Sequence, residues 1–509
     1  MTTDLSFPPR RVRADALRRT GTLALTVLAA AVLAGCAVMG NSHSTQTMAD
    51  AGTLASPQTF TNEQGQWPSQ DWVDQFHDPQ LRTLVDEAVK DNPNLQVAIA
   101  RLQASRAMAD ATRAALYPSV DFEGSLVRQR FSETDLFEGT PLAGSWQNQS
   151  RLQLGLSWDL DFWGKNRDAL EAALSEDRSM EAETQAARLM LTTSIARGYN
   201  RLAALYAQRD VAERAIAQRR DLTDLSRQRL AAGLDTQVET TQARGTVAAA
   251  QTDLQRVDEE IALARNQLAA LLGKGPDRGL QIAKPTLLAN ATPQLPDNLT
   301  IGLLARRPDI VAARWRVEAA SQDVTVAKKE FLPDITLTAF AGYASLDPSN
   351  LLMGISRTFG VGPTLKLPIF AGGRLRANLK GKYAQYDIAA ASYNQTLVDA
   401  LRETADTVTS IRSVDRQIQT QREALDLAEH AYALATTRYK AGLGTQLTVL
   451  NAESNVLQQR RLATDLQARR LDLQMGLMKA LGGGYQETDA PAAQGGANPN
   501  TGTAQGAQG

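Results

Sequence analysis

The sequence predicts an α+β membrane protein: four amphipathic strands contributing to a transmembrane β-barrel, beside long helical hairpins, in a chain with an internal two-fold repeat. Three observations predict it. A turn motif occurs twice, as Arg229-Leu230-Ala231-Ala232-Gly233-Leu234-Asp235-Thr236-Gln237 and as Arg438-Tyr439-Lys440-Ala441-Gly442-Leu443-Gly444-Thr445-Gln446, at an offset of 209 (438 − 229). Two runs of about 65 residues carry no proline and a single glycine each. Four short stretches alternate apolar and polar residues, the period of a strand.

The turn motif reads as the tip of a helical hairpin. Gly233 and Gly442 supply the left-handed backbone that stops one helix, and Thr236 and Thr445 cap the next. The offset persists to Gly273 and Gly482, which each close a helical run. Asn92-Pro93 and Arg307-Pro308 open helical runs that stop at Tyr117-Pro118 and Leu332-Pro333, with an offset of 215 (308 − 93). Phe162-Trp163-Gly164 with Arg167 resembles Ile369-Phe370-Ala371 with Arg374. Such self-similarity marks two repeats of about 200 residues.

Composition excludes several classes. The 509 residues carry a net charge of −1, and about −1 − 3 = −4 without the five Arg and two Asp of residues 1–35. A strongly basic nucleic-acid binder is excluded. One cysteine allows no intramolecular disulfide. His43, His77 and His430 show no metal-ligand spacing. No nucleophile–base pair or phosphate loop stands out, and Gly372-Gly373 reads as a strand-to-helix turn. Neither an enzyme nor a cofactor is expected.

In chain order, residues 1–35 form a signal peptide, with Arg10, Arg11, Arg13, Arg18 and Arg19 before an apolar run from Leu23 to Leu33 that is too short to span a bilayer. Leu33-Ala34-Gly35-Cys36 resembles a bacterial lipobox, which makes Cys36 an acylated N-terminus; the plainer alternative is an ordinary signal peptide with a chance Cys. Residues 36–60 read as a flexible tether. Residues 61–273 are the first repeat: a helix, a β-hairpin at 119–163 and a helical hairpin at 165–273. Residues 274–308, with Pro276, Pro285, Pro293 and Pro296, are a connector with a short strand at Leu280–Ala283. Residues 309–482 are the second repeat, with a β-hairpin at 334–370 and a helical hairpin at 374–482. Residues 483–509 read as a disordered tail.

Along the strands, Leu152, Leu154, Leu156, Trp158, Leu160 and Phe162 face one way, and Arg151, Gln153, Gly155, Ser157, Asp159 and Asp161 the other. A half-buried soluble sheet and a membrane barrel both fit that pattern. Strand lengths of about ten residues, Trp146, Trp158 and Trp163 as interface residues and the lipoprotein-type leader favour the barrel. Four strands cannot close, and an open edge in lipid leaves backbone groups unsatisfied. The chain must assemble, and a trimer gives twelve strands. Each long helix spans ~100 Å at 1.5 Å per residue. After the first tip, Val247, Leu254, Ile261 and Leu268 with Ala250, Val257, Ala264 and Leu271 form a heptad seam.

Asp71-Trp72, Phe76-His77-Asp78-Pro79-Gln80-Leu81, Ala100-Arg101-Leu102, Arg306-Arg307-Pro308-Asp309-Ile310, Phe331-Leu332-Pro333 and both tip motifs resemble the outer membrane factor family, the TolC/OprM class, and within it the acylated NodT-type members that serve resistance-nodulation-division (RND) pumps. The resemblance covers nearly all of residues 60–485. It implies a homotrimer with a twelve-stranded outer-membrane barrel, a periplasmic helical tunnel and a mixed α/β equatorial domain. It also implies a passive efflux conduit whose partners are a periplasmic adaptor (membrane fusion) protein and an inner-membrane RND-type pump. The alternative is a lipid-anchored periplasmic coiled-coil structural or adaptor protein.

By that resemblance Leu447, Thr448 and Asn451 line the periplasmic gate, with Tyr439 and Glu239 nearby. The family often has Asp where Asn451 stands, so a ring of carboxylates is not expected there. Glu239 has a second reading, as the reciprocal member of a capping box with Thr236. Gly233 and Gly442 are turn residues, and the tips that also hold Arg229, Thr236, Arg438 and Thr445 are implied adaptor contacts. Arg229 and Arg438 sit in last helical turns, where a cation suits the dipole.

Overall fold

The computed structural model describes residues 42–50, 54, 66–134, 138–286 and 299–487. Cys36 and the tail beyond Glu487 lie outside them. The described chain forms two compact units.

One unit holds residues 103–179 and 314–392 with residues 42–48. Its centre is an antiparallel sheet of β1 (Ser119–Arg130), β2 (Trp146–Asp159), β3 (Asp334–Ser345) and β4 (Arg357–Lys366), in that spatial order. The predicted hairpins are both present, and β2 pairs with β3, which joins the two halves of the chain. Register puts Phe122, Leu154, Ala341 and Phe359 in one row across the sheet, and Val120, Leu156, Ala339 and Val361 in the next. This greasy face is open: Phe122 is 68%, Phe359 81% and Val361 76% exposed. The opposite face carries Asp121, Glu123, Arg151, Gln153, Thr336, Thr338 and Thr364.

Short bonds fix the base of the sheet. Trp163 Nε1 donates to the Pro333 carbonyl at 2.8 Å, and Lys165 meets Asp334 at 2.7 Å. Asp161, in the left-handed region at φ 41°, accepts from the Asn166 and Arg167 amides and so caps the next helix. Asp161 is therefore a cap, where the strand pattern alone extends the alternation to Phe162. Phe331, Val324 and Ala327 pack against Leu375 and Leu379.

The second unit holds residues 180–313 and 393–487 with the stretch before Leu102. The helices of the chain are α1 (Pro79–Asp91), α2 (Pro93–Ala114), α3 (Lys165–Ala231), α4 (Gln237–Leu271), α5 (Pro276–Leu280), α6 (Leu299–Arg306), α7 (Pro308–Lys329), α8 (Arg374–Lys440) and α9 (Gln446–Ala480), of which α2, α3, α7 and α8 belong partly to the first unit. Asn92 separates α1 from α2, and its side chain caps α2 by accepting from the Asn94 and Leu95 amides. The core sits where α1 meets α3, α4 and α9: Trp72, Leu81, Leu84, Ile195, Tyr199, Leu202, Leu268, Leu272 and Met475 are all buried. Asp78 caps α1 and also accepts from Tyr199 and Thr286. Burial works to raise its pKa, yet these donors hold it below the usual carboxylate range. Of the α4 seam, Ala250, Val257, Ile261 and Leu268 are buried and Val247, Leu254, Ala264 and Leu271 half-buried, and buried Ala243 extends it toward the tip.

Two expectations are corrected. Leu280–Ala283 is no strand: Leu280 ends the short helix α5, the Gln281 and Ile282 amides donate back to the Arg278 and Gly279 carbonyls, and side chains bond the backbone beyond them. Gln80 brackets Ala283 by donating to its carbonyl and accepting from its amide, and Arg265 donates to the Ile282 carbonyl. The tether is not free throughout, because Ser44, Thr45 and Gln46 surround the Asp387 carboxylate on α8.

The Ser44 hydroxyl, with the Thr45 and Gln46 donors, lowers the Asp387 pKa to about 2. A lowered carboxylate stabilises its contact above the ordinary pKa of about 3.9 and loses that contribution as pH falls through the folded value. The segment should therefore stay docked at pH 4 and loosen near pH 2. Pepsin should cut within residues 42–50 much faster at the lower pH, and Asp387→Asn should expose the same sites to proteinase K at neutral pH. Equal cleavage in all cases would contradict the clamp.

Candidate functional site

The two hairpin tips are built by matching backbone devices. After α3, Gly233 sits at φ 71° and the Leu234 amide donates back to the Arg229 carbonyl at 2.9 Å. After α8, Gly442 sits at φ 76° and the Leu443 amide donates to the Arg438 carbonyl at 2.8 Å. Such closures satisfy the carbonyls left over at a helix end.

The helix starts differ. At α4 the capping box is complete: Thr236 Oγ1 accepts from the Val238 amide, and the Glu239 carboxylate accepts from the Thr236 amide at 2.9 Å. The Thr236 hydroxyl, the amide of Glu239 itself and the Thr236 amide hold the Glu239 pKa below its ordinary value. At α9 the equivalent position is Thr448, whose amide donates to Thr445 Oγ1 at 3.4 Å. One tip thus carries an acid that the other lacks.

That difference continues between the hairpins. Tyr439 on α8 is buried at 1% exposure, and its phenol donates to Asp235 Oδ2 in the first tip. Arg229 donates to the same carboxylate oxygen at 3.0 Å and to the Tyr439 carbonyl at 2.9 Å, with its guanidinium 4.5 Å from the centre of the Tyr439 ring. Gln446 donates to Ser226 Oγ at 2.9 Å and to the Glu239 carbonyl at 3.0 Å. Leu222 and Val449 pack beneath, and burial with the Asp235 bond raises the Tyr439 pKa. Next toward the core, Arg219 meets Glu453 at 3.3 Å, where burial keeps the carboxyl above its ordinary range.

The structure separates the expected site residues into two groups. Arg229, Tyr439, Glu239 and Thr236 belong to one hydrogen-bonded cluster that ties the first tip to the second. Arg229 is more than a dipole cap, since it reaches the other hairpin; Arg438 is exposed and reaches only the Leu443 carbonyl, at 3.5 Å. Leu447, Thr448 and Asn451 form a separate exposed face of α9, opposite buried Gln446, Val449 and Glu453. That face bears no carboxylate. Asp235, Ser226 and Gln446 were not singled out as site residues from sequence. The available signal was the mismatch between the repeats, in which Tyr439 stands where the first copy has Leu230 and Asp235 where the second has Gly444.

The comparisons with known proteins agree with this architecture. The family model for outer membrane efflux proteins matches residues 84–274 and 302–483. The chain is 39% identical over 367 residues to fusaric acid resistance protein FusA of Burkholderia cepacia, covering 70% of this chain and 69% of that protein. It is 33% identical over 431 residues to multidrug resistance outer membrane protein MdtP of Escherichia coli, covering 82% and 87%. The crystal structure of outer membrane protein VceC from Vibrio cholerae superposes with a TM-score of 0.78 at 40% identity, covering 82% of this chain and all of that one.

Tyr439→Phe keeps the ring and its stacking on Arg229 but removes a bond to a charged group, at a cost of about 1.5–3 kcal/mol. Amide hydrogen exchange in residues 226–239 and 439–449 should accelerate roughly tenfold or more, while Arg438→Ala should leave it unchanged. Equal exchange in both variants would mean that the network does not hold the tips together.

Proposed function

The chain belongs to the outer membrane efflux protein family, and from that premise we propose that three copies close their sheets into one twelve-stranded barrel that passes drug-like molecules outward. It is an outer-membrane efflux channel and not an enzyme. The observation that carries the proposal is the sheet itself. One face is apolar and exposed, the other polar, and β1 and β4 have no further strand beside them among the described residues. In hydrocarbon such edges must pair, and three sheets of four strands give an even-numbered barrel of ordinary size. The alternative, a lipid-anchored coiled-coil adaptor, gives no reason for Phe359 and Val361 to lie bare on the sheet.

The finer parts of the reading follow. The internal repeat is supported by paired contacts. Asn92 Nδ2 donates to the Leu271 carbonyl and Arg307 Nη1 to the Ala480 carbonyl. The helical hairpins form the periplasmic tunnel, with the gate at the α9 face of Leu447, Thr448 and Asn451. Hairpin tips Arg229–Thr236 and Arg438–Thr445 face a periplasmic adaptor, which connects to an inner-membrane RND-type pump. The names of FusA and MdtP support drugs and fusaric acid-like compounds as the class of cargo. Acylation of Cys36 rests on the Leu33-Ala34-Gly35-Cys36 run alone, and an unmodified Cys36 in the mass spectrum of the mature protein would exclude it.

Leu154→Arg places a charge at mid-strand on the greasy face and should cost about 2–4 kcal/mol per chain. Gln153→Arg, one residue away on the polar face, should be tolerated. Light scattering of the detergent-purified protein should give a trimer for the parent and Gln153→Arg, and loss of trimer for Leu154→Arg. Similar behaviour of the two variants would sink the barrel. In the intact trimer, Tyr439→Phe should raise single-channel conductance; faster exchange at the tips without a conductance change would place the constriction elsewhere.

A further inference from the structure

The polar face of the sheet contains one large exception. Phe340 lies on it, in a cross-strand row Asp121–Gly155–Phe340–Gly360. Its ring does not stand up from the sheet. A Cβ built on Gly360 would come within 2.8 Å of the ring's outer carbons, so the ring lies down over Gly360. Gly360 is glycine because the ring occupies that space.

On the other side of Phe340 the same row is open. A Cβ built on Gly155 would meet nothing closer than the Asp121 carbonyl, at 4.0 Å. Gly155 is thus the bare floor of a shallow notch between β1, which carries Asp121, and β3, whose Phe340 ring leans to the far side over Gly360. Two strand spacings separate β1 from β3, about 9.6 Å between backbones. Gln153 and Ser157 flank the floor along β2, and Glu123 stands opposite Gln153. Arg151, opposite Ser125, is the nearest base on this face, so acids outnumber bases around the notch. Phe340 is 39% exposed and Asp121 is exposed.

An aromatic face and a carboxylate across a bare glycine floor suit one class of solute. We propose that the notch binds aromatic organic cations during transit, with Phe340 stacking on the solute ring and Asp121 attracting its charge. Stacked or edge-on aromatic pairs are favoured beyond their area, and a cation near a ring face gains further. This rests on the barrel reading, which turns the polar face inward. It makes Phe340 a selectivity residue of the conduit, one that distinguishes aromatic from aliphatic cations of equal charge.

The test uses the full-length protein in planar bilayers, with ethidium as the aromatic cation and tetrabutylammonium as the aliphatic one. Ethidium should block the current of the parent. Phe340→Ser should weaken that block by about threefold or more and weaken tetrabutylammonium block much less. Gly155→Val, which fills the floor without a backbone clash, should weaken ethidium block in the same way. Asp121→Asn should weaken block by both cations. A conducting trimer in which Phe340→Ser leaves ethidium block unchanged, or weakens both probes equally, overturns the notch alone. Failure of the parent to form a conducting trimer overturns the barrel reading and the notch with it.

Discussion

Two backbone crossings leave no room for a side chain, and the packing of the helical unit depends on them. Where α4 ends, a Cβ on Gly273 would lie 2.6 Å from the Asp91 carbonyl; just after α9, one on Gly482 would lie 1.8 Å from the Arg306 carbonyl. Both glycines have positive φ. Each crossing sits immediately before an X-Pro step that starts a new helix, because a residue preceding proline is kept out of the helical region. The side chain of that X residue then binds the helix end just crossed: Asn92 the Leu271 carbonyl, Arg307 the Ala480 carbonyl. Arg307 does so while buried, and it can stay charged because Asp309 and Glu403 both bond it. Burial opposes its charge, and the two carboxylates more than compensate.

These crossings explain why so much of the fold was legible. Glycines bound the two long helices, so Lys165–Ala231 falls between Gly164 and Gly233 and Arg374–Lys440 between Gly373 and Gly442. The strands were legible because one face must be uniformly apolar. Phe340 escaped for the same reason: it breaks the alternation, and only the register, with Gly360 opposite, shows what compensates it. The supposed strand at Leu280–Ala283 failed because a few apolar residues carry no period, and Gln80, some 200 residues away in sequence, decides how that backbone is bonded. The tip cluster was half visible. Local caps at Thr236 and Thr445 follow from spacing, but the bond from Tyr439 to Asp235 joins residues that no local pattern relates.

That bond also distinguishes the two tips. Two identical tips would present the same groups to each other, and a donor–acceptor pair would need both from one turn. Here the second copy supplies the phenol and the first supplies the carboxylate and guanidinium. Gly444 in place of an acid, and Leu230 in place of a phenol, mean that neither contact can form the other way round. The contact between the hairpins is therefore directional. Glu239 adds to this by committing its carboxylate to the start of its own helix, which leaves Asp235 as the only acid of the two turn motifs engaged between the hairpins.

The polar character of that layer has a further consequence for where the helical unit opens. Near α1 the helices are joined by Leu, Ile, Met and aromatic side chains, and separating them exposes apolar surface. Near the tips the contacts are Tyr439–Asp235, Arg229–Asp235, Gln446–Ser226 and Arg219–Glu453, around a small apolar cluster of Leu222, Tyr439 and Val449. Water can replace most of these bonds once the layer parts, so the net loss per bond is small. Glu453 goes further, since one of its buried carboxylate oxygens has no partner and its charge is held against the cost of burial. A buried pair of that kind contributes register more than stability. The tips therefore combine a specific closed geometry with a low cost of opening, while the apolar packing around Tyr199 and Leu268 stays intact. Local stability that falls from the core toward the tips is what a chain needs if its moving part is to be the hairpin ends alone.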